Sequence, residues 1–230
     1  GVLKALEEAN IEIHLISGTS AGALIGACYA TGMKASDIYE FLHDKDVFSL
    51  SEIMLPKKGL LNFRRLEREL REKLPVTQFE KLPIPLVVTV TNLNTGKPEY
   101  IAQGDVVSAA IASASIPTIF TPVAIGEHEY CDGGVFNNMP VDQVKGKVEL
   151  IIGVNISPVK PIDNIGSITD IAARAFQLSV NAGAESVEPQ CDIYIEPEGI
   201  GNYDLLDTKH IQEIHDAGYH AAKAALSTVD

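Results

Sequence analysis

A serine near the start of the chain stands in a sequence that favours nucleophilic chemistry. Residues Gly18 to Gly22 read Gly-Thr-Ser-Ala-Gly, which places Ser20 at the centre of a G-x-S-x-G pattern. An alternating apolar stretch at 11–16 precedes the pattern, and a run of small residues from Ala21 to Ala30 follows it. This order predicts a strand, a tight turn and a helix, a setting in which the turn lifts the serine hydroxyl clear of both elements. We therefore expect Ser20 to act as a nucleophile.

The residues beside Ser20 would support it in two ways. Gly18 and Gly22 allow the backbone of the turn and the helix to come close without Cβ clashes. The N-terminus of the helix, which begins at Ala21, directs free N–H groups to the place where an oxyanion forms. The pattern also has a purely structural interpretation, in which Ser20 is the N-cap of the helix. The strand and helix predicted on either side favour the catalytic interpretation.

A serine nucleophile needs a base, because its hydroxyl is protonated at neutral pH. Asp132 is the best candidate, since it follows a short apolar strand and precedes Gly133 and Gly134. A sharp turn at these glycines would leave the carboxylate pointing into a cleft. The structural alternative for the same residues is an Asp-Gly hairpin turn between Tyr130 and Val135.

Histidines offer a different base. Three of them follow Ser20 and Asp132 in the chain order of an α/β-hydrolase triad: His210, His215 and His220. In that fold several strands precede the nucleophile, whereas only about nineteen residues precede Ser20. The three late histidines also fall within one helical pattern at 208–227 rather than on a loop. His14 is predicted on a strand and His128 at a hairpin tip, so neither is well placed to serve Ser20.

The composition is that of a globular protein without affinity for polyanions. The chain has 230 residues, 46% of them apolar, which suffices for one domain with a substantial core. With 18 basic and 31 acidic residues the net charge is −13, which argues against a nucleic-acid partner and against lasting electrostatic attachment to anionic lipid. Cys28, Cys131 and Cys191 lack C-x-x-C spacing and fit reduced thiols in a cytosol. Without an H-E-x-x-H, P-loop or EF-hand pattern, no metal or cofactor is expected.

Strand-like and helix-like segments alternate along the chain, which predicts an α/β layered fold with a mostly parallel sheet. No linker divides the sequence, so residues 1–230 are expected to form a single domain. Besides the segments around Ser20, the patterns predict helices at 2–9, 35–43, 62–74, 106–113, 168–187 and 208–227. Further strands are predicted at 85–91, 98–101, 123–125, 129–131, 150–156 and 193–195.

A basic segment follows an irregular apolar stretch. Residues 57–73 hold seven of the eighteen basic residues, among them Arg64, Arg65, Arg68 and Arg71. The i,i+4 pairs Glu67–Arg71 and Glu69–Lys73 favour a solvated helix. The alternative joins this helix to the apolar loop at 44–61 as a lid or a lipid-facing surface.

Several motifs, in order along the chain, resemble bacterial patatin-like phospholipases. Gly1–Ala9 followed by Gly18–Gly26 is similar to the start of these proteins, and Thr91–Gly96 is similar to an internal motif. Ala112–Pro122 resembles the segment before their second catalytic residue. Asp132–Pro140 is similar to their Asp-Gly-Gly motif and the Asn-x-Pro that follows. The resemblance runs from the first residue to about residue 155.

The resemblance implies a three-layer α/β/α fold and a Ser–Asp dyad without a histidine. Ser20 would be the nucleophile, and Asp132 would be the general base that later protonates the leaving alcohol. The implied reaction is hydrolysis of a lipid carboxylic ester through an acyl-enzyme, with no metal. The implied partner is a lipid or fatty-acyl ester. We expect a cytoplasmic protein of lipid metabolism that makes transient contact with a membrane surface.

The chain departs from the family pattern in one respect. Family members carry a Gly-rich loop, G-G-G-x-[RK]-G, after their first strand, and its N–H groups supply most of the oxyanion hole. No such loop precedes Gly1, so we expect the native protein to contain that loop and the first strand upstream. Two alternatives stay open: acyl transfer or thioester hydrolysis on the same fold, and an inactive module that binds lipids or proteins.

Overall fold

A computed structural model of the chain describes residues 1–43, 61–162, 165–182, 184–203, 207 and 209–227. In these ranges the helices are α1 Val2–Glu8, α2 Ala21–Ala30, α3 Ala35–His43, α4 Arg64–Lys73, α5 Val106–Ala114, α6 Ile168–Asn181, α7 Ala184–Val187 and α8 Ile211–Leu226. The strands are β1 Ile16–Thr19, β2 Leu86–Asn92, β3 Lys97–Ile101, β4 Val123–Ile125, β5 His128–Asp132, β6 Ile152–Val154 and β7 Ile193–Ile195. The loop predicted at 44–61 lies outside the described residues except for Leu61.

Strand β2 is the centre of the main sheet because its side chains suit burial on both faces. Its sequence, Leu-Val-Val-Thr-Val-Thr-Asn, is rich in β-branched residues, and all seven positions are buried. Strand β1 runs parallel to β2, whereas β3 and β5 run antiparallel to it and β4 runs antiparallel to β5. Strands β6 and β7 form a separate parallel pair. The predicted α/β class is confirmed, and the main sheet is mixed in direction.

The register of the main sheet brings the ends of β1 and β5 together. Strand β1 pairs with β2 as far as Thr19 opposite Thr89, and β5 begins its pairing at Asp132 opposite Val90. Strand β3 pairs with residues 88–92 of β2 and so overlaps the partners of both. Because a strand has only two edges, β1 and β5 share the edge opposite β3. They run towards each other along it, and their C-terminal ends meet.

Helices α2 and α5 cover this junction. Helix α5 is buried along nearly its whole length, as its Val- and Ala-rich sequence predicts. Its N-cap, Asp105, accepts a hydrogen bond from the Ser108 N–H at 2.8 Å. Arg71 of α4 pairs with Glu67 at 3.0 Å, as their spacing predicts, and with the same Asp105 at 2.9 Å. Of the helices in the described ranges, none combines the length and the apolarity that a bilayer crossing requires.

A second apolar cluster joins β7 to the helices at the two ends of the described chain. Ala5 of α1, Ile193 and Ile195 of β7, and Ala222 of α8 are buried together. Strand β6 is shorter than the predicted 150–156. The helix predicted at 168–187 is divided into α6 and α7, and the helix predicted from 208 begins at Ile211.

The strand predicted at 11–16 is wrong except for its last residue, because β1 begins at Ile16. The segment just before β2, which would pair with residues 11–15, contains Pro83 and Pro85, and prolines have no N–H to donate. Between these prolines, the Ile84 N–H donates to the carbonyl of Ala30 instead of to a strand. The ladder therefore stops where the prolines begin.

Candidate active site

Ser20 lies on a strained turn between β1 and α2. Its φ of 55° and ψ of −121° fall outside the regions that side chains ordinarily allow, and strain of this kind is concentrated at functional sites. Ser20 holds the N-cap position of α2, but its hydroxyl makes no capping hydrogen bond. The N-cap interpretation therefore describes the position of the residue and not the use of its side chain. The hydroxyl is left available for chemistry.

The turn requires a glycine on its strand side. A Cβ at Gly18 would lie 2.5 Å from the carbonyl oxygen of Gly22, closer than real Cβ atoms come to any heavy atom. A Cβ at Gly22 itself would meet no heavy atom of its surroundings within 4 Å among the described residues. The close approach of strand and helix thus depends on the absent side chain of Gly18.

The first residues of α2 present N–H groups beside the serine. Ala21 and Gly22 are exposed, and within the described part of the chain neither N–H has an acceptor. The N–H of Ser20 is occupied instead, because it donates to the hydroxyl of Ser113 at 2.8 Å. The N-terminus of α2 therefore offers the amides of Ala21 and Gly22 to a negatively charged oxygen.

Asp132 ends β5 as a fully buried carboxyl group. Its Oδ1 accepts a hydrogen bond from the Gly134 N–H at 2.8 Å, and its Oδ2 has no hydrogen-bond partner among the described residues. Burial raises the pKa of Asp132 to about 7, although the nearby Ser20 hydroxyl and the Gly134 N–H both act to lower it. Ser20 is thus a close neighbour of Asp132 without a hydrogen bond of normal geometry, which is common for catalytic pairs without substrate.

The chain after Asp132 is a short 3₁₀ turn at Gly133–Val135. The Asp-Gly hairpin interpretation is therefore wrong. A Cβ at Gly133 would lie 2.3 Å from the carbonyl oxygen of Thr89, so the turn passes directly against β2. Gly134 is confined to a lesser degree and by a side chain, since a Cβ there would lie 2.9 Å from Cγ2 of Val180 on α6. These contacts fix where the buried carboxylate stands.

Two hydroxyl groups that the sequence analysis did not select also hold the site. The Thr19 hydroxyl donates to the carbonyl of Asn137 at 2.9 Å and ties the end of β1 to the loop after Asp132. The Ser113 hydroxyl accepts from Ser20 and donates to the carbonyl of Thr89 at 2.7 Å. Thr19 and Ser113 both lie within segments that resemble the family, which is the one signal in the sequence that could have selected them.

The histidines considered as bases have other neighbours. His14 pairs with Glu12 on the surface, and His210 pairs with Asp207 at 2.7 Å. His215 bonds Asp216, while His220 stacks at an angle against Tyr219. His128 is the exposed first residue of β5, four positions before Asp132. Among the described contacts, none of these rings reaches Ser20 or Asp132.

A cavity of about 60 Å³ lies beside the loop that follows Asp132. Its lining joins that loop to α6 and α7 and includes Gly134, Phe136, Asn138, Met139, Val180 and Val187. Phe136, one of these lining residues, is 54% exposed. Polar and apolar groups contribute about equally to this lining, which also includes Asn137 and Ser179.

Comparison with known proteins relates the chain to a family of known fold. A family model described as patatin-like phospholipase matches residues 1–145. An uncharacterised NTE family protein of Mycobacterium tuberculosis is 29% identical over 256 residues, covering 98% of this chain and 43% of that protein. Lysophospholipase nte1 of Aspergillus fumigatus is 26% identical over 261 residues, covering 98% of this chain and 17% of that protein. The chain therefore spans less than half the length of these curated relatives.

The crystal structure of VipD from Legionella pneumophila has a similar fold. It superimposes with a TM-score of 0.55 at 16% sequence identity, covering 99% of this chain and 64% of that one. Together with the family match, this confirms the three-layer fold that the sequence motifs predict.

Proposed function

Because the chain belongs to the patatin-like phospholipase family, we propose that it hydrolyses carboxylic esters of lipid acyl chains, with Ser20 as nucleophile and Asp132 as general base. The observation that carries this proposal is the junction of β1 and β5 along one edge of β2. There a serine hydroxyl free of capping contacts lies next to a buried carboxylate. The two side chains are of the types that a Ser–Asp dyad needs.

The proposed reaction begins when Ser20 Oγ attacks the acyl carbonyl and its proton passes to Asp132. The tetrahedral oxyanion is stabilised by the N–H groups of Ala21 and Gly22 at the start of α2. The leaving alcohol takes the proton from Asp132 as the ester bond breaks, and the acyl group stays on Ser20. Water then attacks the acyl-enzyme, giving one proton to Asp132, which returns it to Ser20 Oγ as the fatty acid departs.

The buried position of Asp132 suits this role. A general base works best when its pKa lies near the working pH, and burial raises the pKa of Asp132 to about 7. We therefore expect kcat/KM to increase about tenfold per pH unit below pH 7 and to level off above it. A profile that stays flat between pH 5 and pH 8 would contradict the assignment of Asp132 as the base.

The name of one relative supports the choice of a first substrate class to test. One of them is named lysophospholipase, so we propose lysophospholipids as the first natural substrates to test. Transient membrane contact, the absence of a nucleic-acid partner, cytoplasmic location and a single domain over 1–230 stay predictions. The acyl acceptor is water in this proposal, and a transferase would reveal itself by forming a new ester in the presence of an added alcohol.

The deciding experiment compares hydrolysis of p-nitrophenyl butyrate and of lysophosphatidylcholine by the native protein and by Ser20→Ala, Asp132→Asn and Ser36→Ala. Ser36 is an exposed serine on α3 and serves as the matched control. Loss of either dyad member should lower kcat by about 10³-fold or more, whereas Ser36→Ala should match the native rate. A fluorophosphonate probe should label Ser20. If Ser20→Ala retains the native rate on both esters, the proposal is wrong.

A further inference from the structure

The C-terminal end of α5 contacts both members of the dyad through their backbones. The hydroxyl of Ser113 accepts the N–H of Ser20 at 2.8 Å. Two residues later, the carbonyl of Ser115 accepts the N–H of Asp132 at 2.9 Å. Ser113 and Ser115 are almost wholly inaccessible to solvent, so water does not compete for these bonds. One short segment thus holds nucleophile and base at the same time.

The Ser113 hydroxyl is oriented by a second bond. It donates its proton to the carbonyl of Thr89 at 2.7 Å, which directs its lone pairs towards the N–H of Ser20. Thr89 is the residue of β2 that pairs with Thr19, the neighbour of Ser20. The three groups therefore form a closed link from β2 through α5 to the turn.

This link holds the backbone of Ser20, whose conformation decides where the Ser20 side chain can point. The N–H of Ser20 belongs to the planar peptide between Thr19 and Ser20, so fixing that N–H fixes the peptide plane that ends at the Cα of Ser20. The backbone of Ser20 is held at a φ of 55°, a conformation that an unrestrained serine would leave. The Ser20 side chain makes no capping bond that could orient it instead.

We propose that Ser113 is a positioning residue, which holds the Ser20 turn through its N–H so that Oγ faces Asp132. The inference rests on the proposed function, since positioning has meaning only if Ser20 is the nucleophile. Because Ser113 occupies the Ser20 N–H, the amides that the start of α2 offers to the oxyanion are those of Ala21 and Gly22. Misplacement of a reacting group by about 1 Å can lower a rate about 10²-fold, which is the size of effect expected here.

The test compares the native protein with Ser113→Ala, Ser113→Cys and the control Thr31→Val, with Ser20→Ala in parallel. Thr31, also buried, donates its hydroxyl to the carbonyl of Cys28 at 2.7 Å at the far end of α2. It therefore matches the loss of a buried hydroxyl without touching the turn. Cysteine keeps nearly the volume of serine but is a weak hydrogen-bonding group. Each variant is assayed for kcat, KM, fluorophosphonate labelling, the pH midpoint of kcat/KM, and Tm.

The expected result is a drop of about 10²-fold in kcat and in labelling for Ser113→Ala, with KM within about twofold of native. The pH midpoint should stay near 7, because Asp132 remains buried. Ser113→Cys should lose about tenfold or more, and Thr31→Val should match native kcat. If Ser113→Ala does not fold, the kcat and pH midpoint of Ser113→Cys decide.

A native kcat in a folded Ser113 variant would overturn the inference. So would a pH midpoint that falls towards 3.8, because that shift reports water reaching Asp132 and a general loosening of the site. Retention of activity by Ser20→Ala would instead refute the proposed function. One set of measurements therefore distinguishes a failure of the positioning role of Ser113 from a failure of the proposed function.

Discussion

Replacing Asp132 by asparagine should abolish hydrolysis. It should also remove the free-energy cost of ionising a buried carboxyl group, which lowers the stability of the native protein at neutral and alkaline pH. The burial of Asp132 raises its pKa from 3.8 to about 7. Because the folded pKa lies above the unfolded value, the unfolded chain binds fewer protons between these two pH values. Stability contributed by this group is therefore present at low pH and is lost as pH rises through about 7.

The cost of ionising Asp132 in the folded protein can be worked out from the change in its pKa on folding. Ionising the buried carboxyl at pH 8 costs about 4 kcal/mol relative to the unfolded chain, at about 1.4 kcal/mol for each pKa unit. Most of that cost, about 2–3 kcal/mol, develops between pH 5 and pH 8. Asparagine keeps an oxygen to accept the Gly134 N–H but cannot ionise. Any fixed cost of its buried NH₂ group is independent of pH.

The assay is urea-induced unfolding of the native protein, Asp132→Asn and Glu127→Gln at half-unit steps from pH 5 to pH 8. Glu127 is exposed in the β4–β5 turn, so its variant controls for the loss of one negative charge. The free energy of unfolding of Asp132→Asn should gain about 2–3 kcal/mol on the native protein across this range. The Glu127→Gln curve should run parallel to the native one. A difference between Asp132→Asn and native that is constant with pH would refute the burial argument.

Four further outcomes follow from the contacts around the site and from the burial of two thiols. Gly18→Ala should lose about 1–3 kcal/mol of stability in urea unfolding, because its Cβ would crowd the Gly22 carbonyl. Gly22→Ala should instead gain about 0.5–1 kcal/mol as a helical alanine with open space around it. Thr19→Val should lower kcat several-fold on p-nitrophenyl butyrate by freeing the Asn137 loop, and unchanged kcat would contradict that tie. Burial raises the pKa of Cys28 and of Cys131 to about 12, so iodoacetamide at pH 8 should leave both unmodified by mass spectrometry.

Much of the local structure could be predicted from periodicity and turn chemistry. Helices α2 and α3 and strands β4 and β7 have the bounds that the sequence predicts. The apolar alternation at 11–15 predicted a strand that does not form, because its neighbouring segment contains prolines and cannot complete the ladder. Pairing depends on a second segment of chain, and a single-segment pattern contains no information about it.

Some residues of the candidate site could likewise be predicted from the sequence, and others could not. Residue types and local motifs selected Ser20 and Asp132, since each stands on a glycine-bounded turn after a strand. Ser113 and Thr19 could not be selected in this manner, because their roles depend on hydrogen bonds to residues distant in sequence. A buried serine within an apolar helix has the same pattern whether its hydroxyl faces an active site or the next turn of its own helix.

The C-terminal ends of β1 and β5 meet only when both strands are paired with β2, so the site depends on assembly of the sheet. Neither strand pairs with the other, and both depend on β2 for their alignment. A slip of one residue on either side of β2 would turn the end of that strand to the other face. In refolding, local helices such as α2 form before contacts between distant segments. Esterase activity should therefore return after the helical circular dichroism signal and report completion of the β1–β2–β5 core.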